Sequence, residues 1–142
     1  MVHELMAESI SIESLHAMAR DDYDALAFGV IELDRNFVVR NYNRPESLLA
    51  RRKVEDTIGK DFFSEVAPCT NNAGFRGRIE ALMASAEGGD VRFDFVFLFP
   101  WGRRNVRVRA LRGGPNLCWL FVTPLRSLDI DTDEPRSDER AA

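Results

Sequence analysis

Histidine and cysteine are scarce in this chain, with two of each among 142 residues. His3 and His16 both lie near the N-terminus, outside the expected core. That excludes a cysteine–histidine metal site of the usual spacing. A haem held by histidine, or a serine or cysteine hydrolase, would need one of these two residues to reach across the fold. Cys69 and Cys118 are too few for a disulfide framework. Long apolar runs are also missing; no stretch approaches the roughly 20 residues of a bilayer span. The opening residues, Met1 to Glu8, lack the basic start and apolar stretch of a signal peptide, so the expected address is the cytoplasm. There is no excess of positive charge. A net charge of −4 and a pI near 5.2 argue against bulk attraction to nucleic acid.

What the chain does have is an ordinary soluble balance, 45% hydrophobic and 30% charged, in a length that suits one domain with one core. Arginines gather late, at Arg103, Arg104, Arg107, Arg109 and Arg112. Strand alternation puts Arg107 and Arg109 on one face, and a solvated strand face is the reading expected there.

Residues 9–20 carry Ile12, Leu15 and Met18 at helical spacing, enough for one or two short turns of an N-terminal cap over 1–25. Asp21-Asp22 breaks this segment and can cap the next one. Residues 27–34 and 37–42 read as two strands of a hairpin around Asp34-Arg35-Asn36. Asn43 is placed to N-cap a helix, with Pro45 in its first turn and Glu46 at the third helical position. Short helical pieces continue through Glu65, interrupted at Gly59, and Val66 to Asn72 is a loop punctuated by Pro68. Phe75 to Ala86 is a longer helix with Ile79, Leu82 and Met83 as its buried stripe, ended by Gly88-Gly89. Phe93, Phe95, Phe97 and Phe99 then alternate along a strand, and two more strands come after it, Val106 to Leu111 and Leu117 to Val122. The order is two strands, several short helices, one longer helix and three strands. It describes an α+β PAS fold, a five-stranded antiparallel sheet with helices on one side, over residues 26–125. Residues 126–142 are rich in Asp, Glu, Ser and Arg and read as a flexible acidic tail.

Taken singly, the candidate functional residues each have an ordinary explanation. Cys118, in a strand beside Trp119, reads as a small buried hydrophobe; Cys69, in a loop, fits that reading less well. Tyr42 and Glu46 are four apart across a helix start and can converge on one face. Glu46 can equally close a capping box with Asn43. Arg52 can pair on the surface with Glu55.

The segment Gly59 to Thr70, ending Val66-Ala67-Pro68-Cys69-Thr70, resembles the chromophore-attachment segment of the photoactive yellow protein family. Leu26 to Asp34 resembles that family's first strand. Tyr42-Asn43 with Glu46 and Arg52 matches its pocket motif, and Phe75 with Gly77 and Trp119 with Phe121-Val122 continue the likeness over about residues 22–124. The resemblance implies a blue-light photoreceptor, not an enzyme, with p-coumaric acid (4-hydroxycinnamic acid) held as a thioester on Cys69. Tyr42 and Glu46 would donate hydrogen bonds to its phenolate, Arg52 would shield the pocket, and the Cys69 amide would hold its carbonyl. Phe62, Val66, Ala67, Pro68, Thr70 and an aromatic of the third strand, Phe95 or Phe97, would surround it. Light would isomerise the group, Glu46 would give up its proton, and the N-terminal cap would loosen as the signal to an unidentified downstream protein. The chain would act as a monomer or weak dimer, with neither nucleic acid nor membrane as partner.

Two departures from the family pattern are visible. Ala50 stands where the family often has a threonine that supports the tyrosine. The hairpin Leu98-Phe99-Pro100-Trp101-Gly102 lacks the family's methionine, which implies slow dark recovery, with Trp101 filling the space. The alternatives are a chromophore-free PAS interaction or sensory module, a flavin-binding PAS domain, for which the Asn-Cys-Arg-Phe-Leu-Gln motif is absent, and a small enzyme using a Cys69 nucleophile, which lacks a base in reach.

Overall fold

Alternating aromatic and β-branched residues dictate the sheet, and the two sides of that alternation are covered by different things. The computed structural model describes residues 6–85 and 89–125. Two short helices come first, α1 (Ile12–His16) and α2 (Arg20–Asp24), then strands β1 (Gly29–Asp34) and β2 (Val39–Tyr42). Helix α3 (Arg44–Ala50), several single turns and α4 (Arg76–Ala84) lead to β3 (Asp90–Phe99), β4 (Gly102–Arg112) and β5 (Leu117–Pro124). The sheet order is β2-β1-β5-β4-β3, with every neighbouring pair antiparallel. This is the expected five-stranded α+β arrangement. Its strands β3 and β4 are longer than the sequence suggests, because ten consecutive register pairs join them. The acidic tail expected at 126–142 and the Gly88 helix stop lie outside the described residues.

Period-two alternation separates two cores. Ile31, Leu33, Cys118, Leu120 and Val122 face the helices, where they meet Phe62, Phe63, Phe75 and Phe97. Val30, Trp119 and Phe121 face the other way, where Ala7, Ile10 and Leu15 of the cap and Leu26 and Phe28 cover them. The cap is thus packed on the sheet face opposite the helices.

The helix starts obey local chemistry. The Asn43 carboxamide oxygen accepts the Glu46 amide at 3.2 Å, the expected N-cap. Asp22 turns back to accept the Ala19 amide at 3.0 Å, so α2 begins one residue before the acidic pair expected to break the segment. The α3 helix ends where Arg51 adopts the left-handed conformation, φ 57°. Helix α4 stops at Ala84, ahead of the expected glycine stop. Its stripe holds as expected, with Ile79 and Leu82 buried and Met83 packed against them.

The arginine stripe is corrected by the structure. Arg107 pairs on the surface with Asp94 at 2.8 Å, but Arg109 is only 9% exposed. Its guanidinium holds both Asp90 oxygens, at 3.0 and 2.8 Å. It also donates to the carbonyls of Ala7 and Ile10 at 2.9 and 2.7 Å, and it lies 5.6 Å from the Phe121 ring centre. Strand alternation gives its face correctly; the cap, which covers that face, is what buries it.

Candidate chromophore site

The residues that the family resemblance singles out come from four places in the chain. Tyr42 ends β2 and is buried. Glu46 lies one turn into α3, only 2% exposed. Arg52 comes just after the helix end. Cys69 sits in a single 3-10 turn, Pro68–Thr70, facing β3. The chain reaches Cys69 through an unusually wide turn at Phe62–Val66. There the Ala67 amide bonds to the Phe62 carbonyl and the Val66 amide to the Asp61 carbonyl, each five residues back. Such π turns recur at functional sites, because the inserted residue re-aims the side chains around it. Here Phe62, Phe63 and Val66 all become buried.

Glu46 carries the unusual chemistry. Its amide is spent on Asn43, but its carboxyl does not return to close a capping box. It is fully buried, and Oε1 has no hydrogen-bond partner. A Cβ on Gly29 of β1 would overlap this same oxygen, so the carboxyl occupies the space that the missing side chain of residue 29 leaves. Burial pushes the Glu46 carboxyl up from 4.5 to about 8, which keeps it protonated, and therefore a donor, at neutral pH. Tyr42 is also pushed above its ordinary range, by burial first and by the Glu46 charge second, while the Arg52 charge acts in the opposite sense. The three groups are therefore electrostatic neighbours. Arg52 Nε is buried without a partner, and its Nη2 donates to the Asp56 carbonyl at 3.4 Å. The surface pair with Glu55 is not formed.

The Cys69 thiol is half-buried. Sγ accepts the Leu98 amide at 3.4 Å. Burial raises its pKa, and the amides of Leu98 and of Cys69 itself oppose that. Phe62, Val66, Ala67 and Phe97 are buried around this segment, and Phe95 is half-buried. Phe95 and Phe97 point to the same face of β3, each meeting Phe75, with ring centres 5.0 and 6.2 Å away. Thr70 is buried with its hydroxyl donating to the Ala67 carbonyl at 2.7 Å, and Pro68 is exposed at the first position of the turn. These two residues shape the turn that presents the thiol. Cys118 is buried within the sheet and pushed up to about 12, as an inert core thiol is.

Two residues, one beside the site and one under the cap, make long-range connections that the sequence does not mark. Asn43 uses all its amide capacity: Oδ1 accepts from Val30 and Glu46, and Nδ2 donates to the carbonyls of Tyr23, at 2.7 Å, and Phe28, at 3.1 Å. It therefore ties the helix of Glu46 to β1 and to the cap. Its capping role is legible from its position; the reach to Tyr23 is not, since it spans 20 residues. The second is Arg109, described above.

A five-stranded antiparallel sheet in the order β2-β1-β5-β4-β3 with helices on one face is the architecture of a PAS domain. The PAS domain of an HTR-like protein from Haloarcula marismortui superposes with a TM-score of 0.61 at 12% identity, over 80% of this chain and 99% of that one. A more specific likeness is to the photoactive yellow protein domain of the sensor histidine kinase Ppr from Rhodospirillum centenum. It has a TM-score of 0.74 and 40% identity, and covers 79% of this chain and 98% of that one. Photoactive yellow protein of Cereibacter sphaeroides is 32% identical over 116 residues, 80% of this chain and 92% of that protein. No family model matches. On these relatives the chain belongs to the photoactive yellow protein family, and it is a PAS-type photosensor. No helix among the described residues is long and apolar enough to cross a membrane.

Proposed function

We propose that the chain is a blue-light receptor carrying a p-coumaroyl group as a thioester on Cys69, acting from the cytoplasm on a downstream signalling protein. The observation that carries this reading is the buried Glu46 carboxyl, whose Oε1 has no partner and which burial keeps neutral beside Tyr42 and Arg52. An orphaned buried donor costs about 1–3 kcal/mol. An acceptor arriving with a ligand removes that cost. The residues present fit the group: a half-exposed thiol, an aromatic-walled pocket, and donors for one anionic oxygen. When bound, it would supply visible absorption and a double bond that light can isomerise.

The chain's own residues then do the rest. Tyr42 and Glu46 donate to the buried oxygen and hold it ionised. Arg52 screens the pocket from solvent. After light absorption Glu46 would pass its proton to that phenolate oxygen and be left as a buried carboxylate, a state unfavourable by several kcal/mol. Asn43 bonds both to the Glu46 amide and to the Tyr23 carbonyl, so a shift of α3 pulls on the cap. Loosening of the cap is the output.

The test is to mix the purified chain with activated p-coumaric acid beside a Cys69→Ala control and record the spectrum. A red-shifted visible band that needs Cys69, bleaches in blue light and recovers in darkness supports the reading. A chain that stays colourless, or colours equally without Cys69, sinks it in favour of a PAS module that works without this group.

A further inference from the structure

The turn between β3 and β4 is fastened to the pocket at two places. At one, the Leu98 amide donates to Cys69 Sγ. At the other, the Trp101 indole N–H donates to the Ala50 carbonyl at 3.2 Å. Ala50 is the last residue of α3, where backbone carbonyls run out of intrahelical donors, so the indole satisfies an otherwise open end. The ring is held by more than this bond. The Arg51 guanidinium lies 3.9 Å from its centre and that of Arg104 4.9 Å, while Phe99 stacks on it at 5.0 Å with planes 11° apart. Arg51 can reach the ring because its left-handed backbone turns the chain at the helix end. One side chain therefore binds the β3–β4 turn to the helix that bears Glu46, while the end of β3 just before that turn bonds to the thiol through Leu98.

We propose that Trp101 is a clasp that closes the β3–β4 turn over the Cys69 pocket, so that its opening controls how fast an acyl group reaches the thiol. Trp101 acts here as a positioning residue. Its hydrogen bond and stacked ring hold Leu98 and Phe99 in place, and the Leu98 amide in turn donates to Sγ. The proposal rests on Cys69 being the attachment site and adds what governs its loading.

The test uses the full, unloaded chain and a chromogenic aryl disulfide. Cys69 thiolate attacks one sulfur, a mixed disulfide forms, and the coloured aryl thiolate leaves. Cys118 is fully buried and stays silent in the folded state. Trp101→Ala is expected to speed modification of Cys69 about tenfold, and Trp101→Phe, which keeps the stack but loses the N–H, by a smaller factor. Acylation by activated p-coumaric acid should accelerate in parallel. A Cys69 rate within about twofold of the parent in a folded Trp101→Ala chain overturns the clasp. If Trp101→Ala unfolds, shown by Cys118 reacting too, Trp101→Phe decides, and an unchanged rate in it overturns the proposal. Faster thiol chemistry with no colour in any variant would retire the photoreceptor reading while keeping the clasp. Colour with unaltered thiol rates would do the reverse.

Discussion

Glu46 makes the stability of the unloaded chain depend on pH in a window where few other groups act. Its carboxyl moves from 4.5 in the unfolded chain to about 8 in the folded one, because burial penalises the charged form. Between these values the folded state binds more protons than the unfolded state, so stability is fully present below about pH 4.5 and is lost as pH rises through about 8. At about 1.4 kcal/mol per pH unit, the whole displacement amounts to roughly 5 kcal/mol. Water entering a relaxed pocket reduces this, so a measured loss of about 2–5 kcal/mol is expected. The other displaced groups lie outside the window. Asp34 and Asp90 are shifted below the ordinary carboxylate range, so their contributions fade only in acid. The thiols are shifted above their ordinary range. The assay is urea unfolding at several pH values from about 5 to 8.5 for the parent and for Glu46→Gln. Glutamine matches the shape and cannot ionise, so its stability should be nearly flat where that of the parent falls. If the two chains keep a constant difference across the window, Glu46 is not a buried acid with a raised pKa, and the donor assignment fails with it.

Arg109→Ala removes the donors of two cap carbonyls and the partner of Asp90, and should weaken cap docking by about 3 kcal/mol. Amide exchange in residues 11–18 should then speed by about a hundredfold while β5 keeps its protection, and equal exchange in both chains would refute the latch. Gly29→Ala puts a Cβ onto Glu46 Oε1 and against its Cβ, so the Glu46 side chain must shift, at about 1–3 kcal/mol by urea unfolding. An alanine accepted without cost would show that the carboxyl does not fill that space.

Local rules make most of the fold legible. Asn43 before Arg44-Pro45-Glu46 announces a helix start, and four phenylalanines at alternate positions announce a strand whose inner face carries Phe93, Phe95, Phe97 and Phe99. The order of elements comes from that reading. What stays hidden depends on contacts distant in sequence. Arg109 reads as an exposed strand residue because the carbonyls it holds lie 99 and 102 residues away. Glu46 fits a capping box by spacing, and only the nearness of Gly29, across a helix–sheet contact, shows why its carboxyl turns inward. The wide turn at Phe62–Val66 has no composition of its own, so the sequence suggests only a short helical piece there. Trp101 reads as space-filling; its bond to Ala50 joins residues 51 apart.

The orphaned polar atoms themselves constrain what the pocket takes. Folded proteins leave few buried polar groups unpaired, and among the described residues three side-chain atoms are in that state. Trp119 Nε1 belongs to the cap side, while Glu46 Oε1 and Arg52 Nε belong to the pocket. At neutral pH a protonated Glu46, the Tyr42 hydroxyl and the Arg52 guanidinium all have hydrogens to give, and none is an anion. Such a set favours a single buried oxygen with negative charge over a neutral ring, and it gains most from a ligand whose remaining surface is apolar and flat enough to lie among Phe62, Val66 and Phe97. The aryl group proposed above, with one ionised oxygen and its far end on Cys69, would be a ligand of the kind that these hydrogens suit.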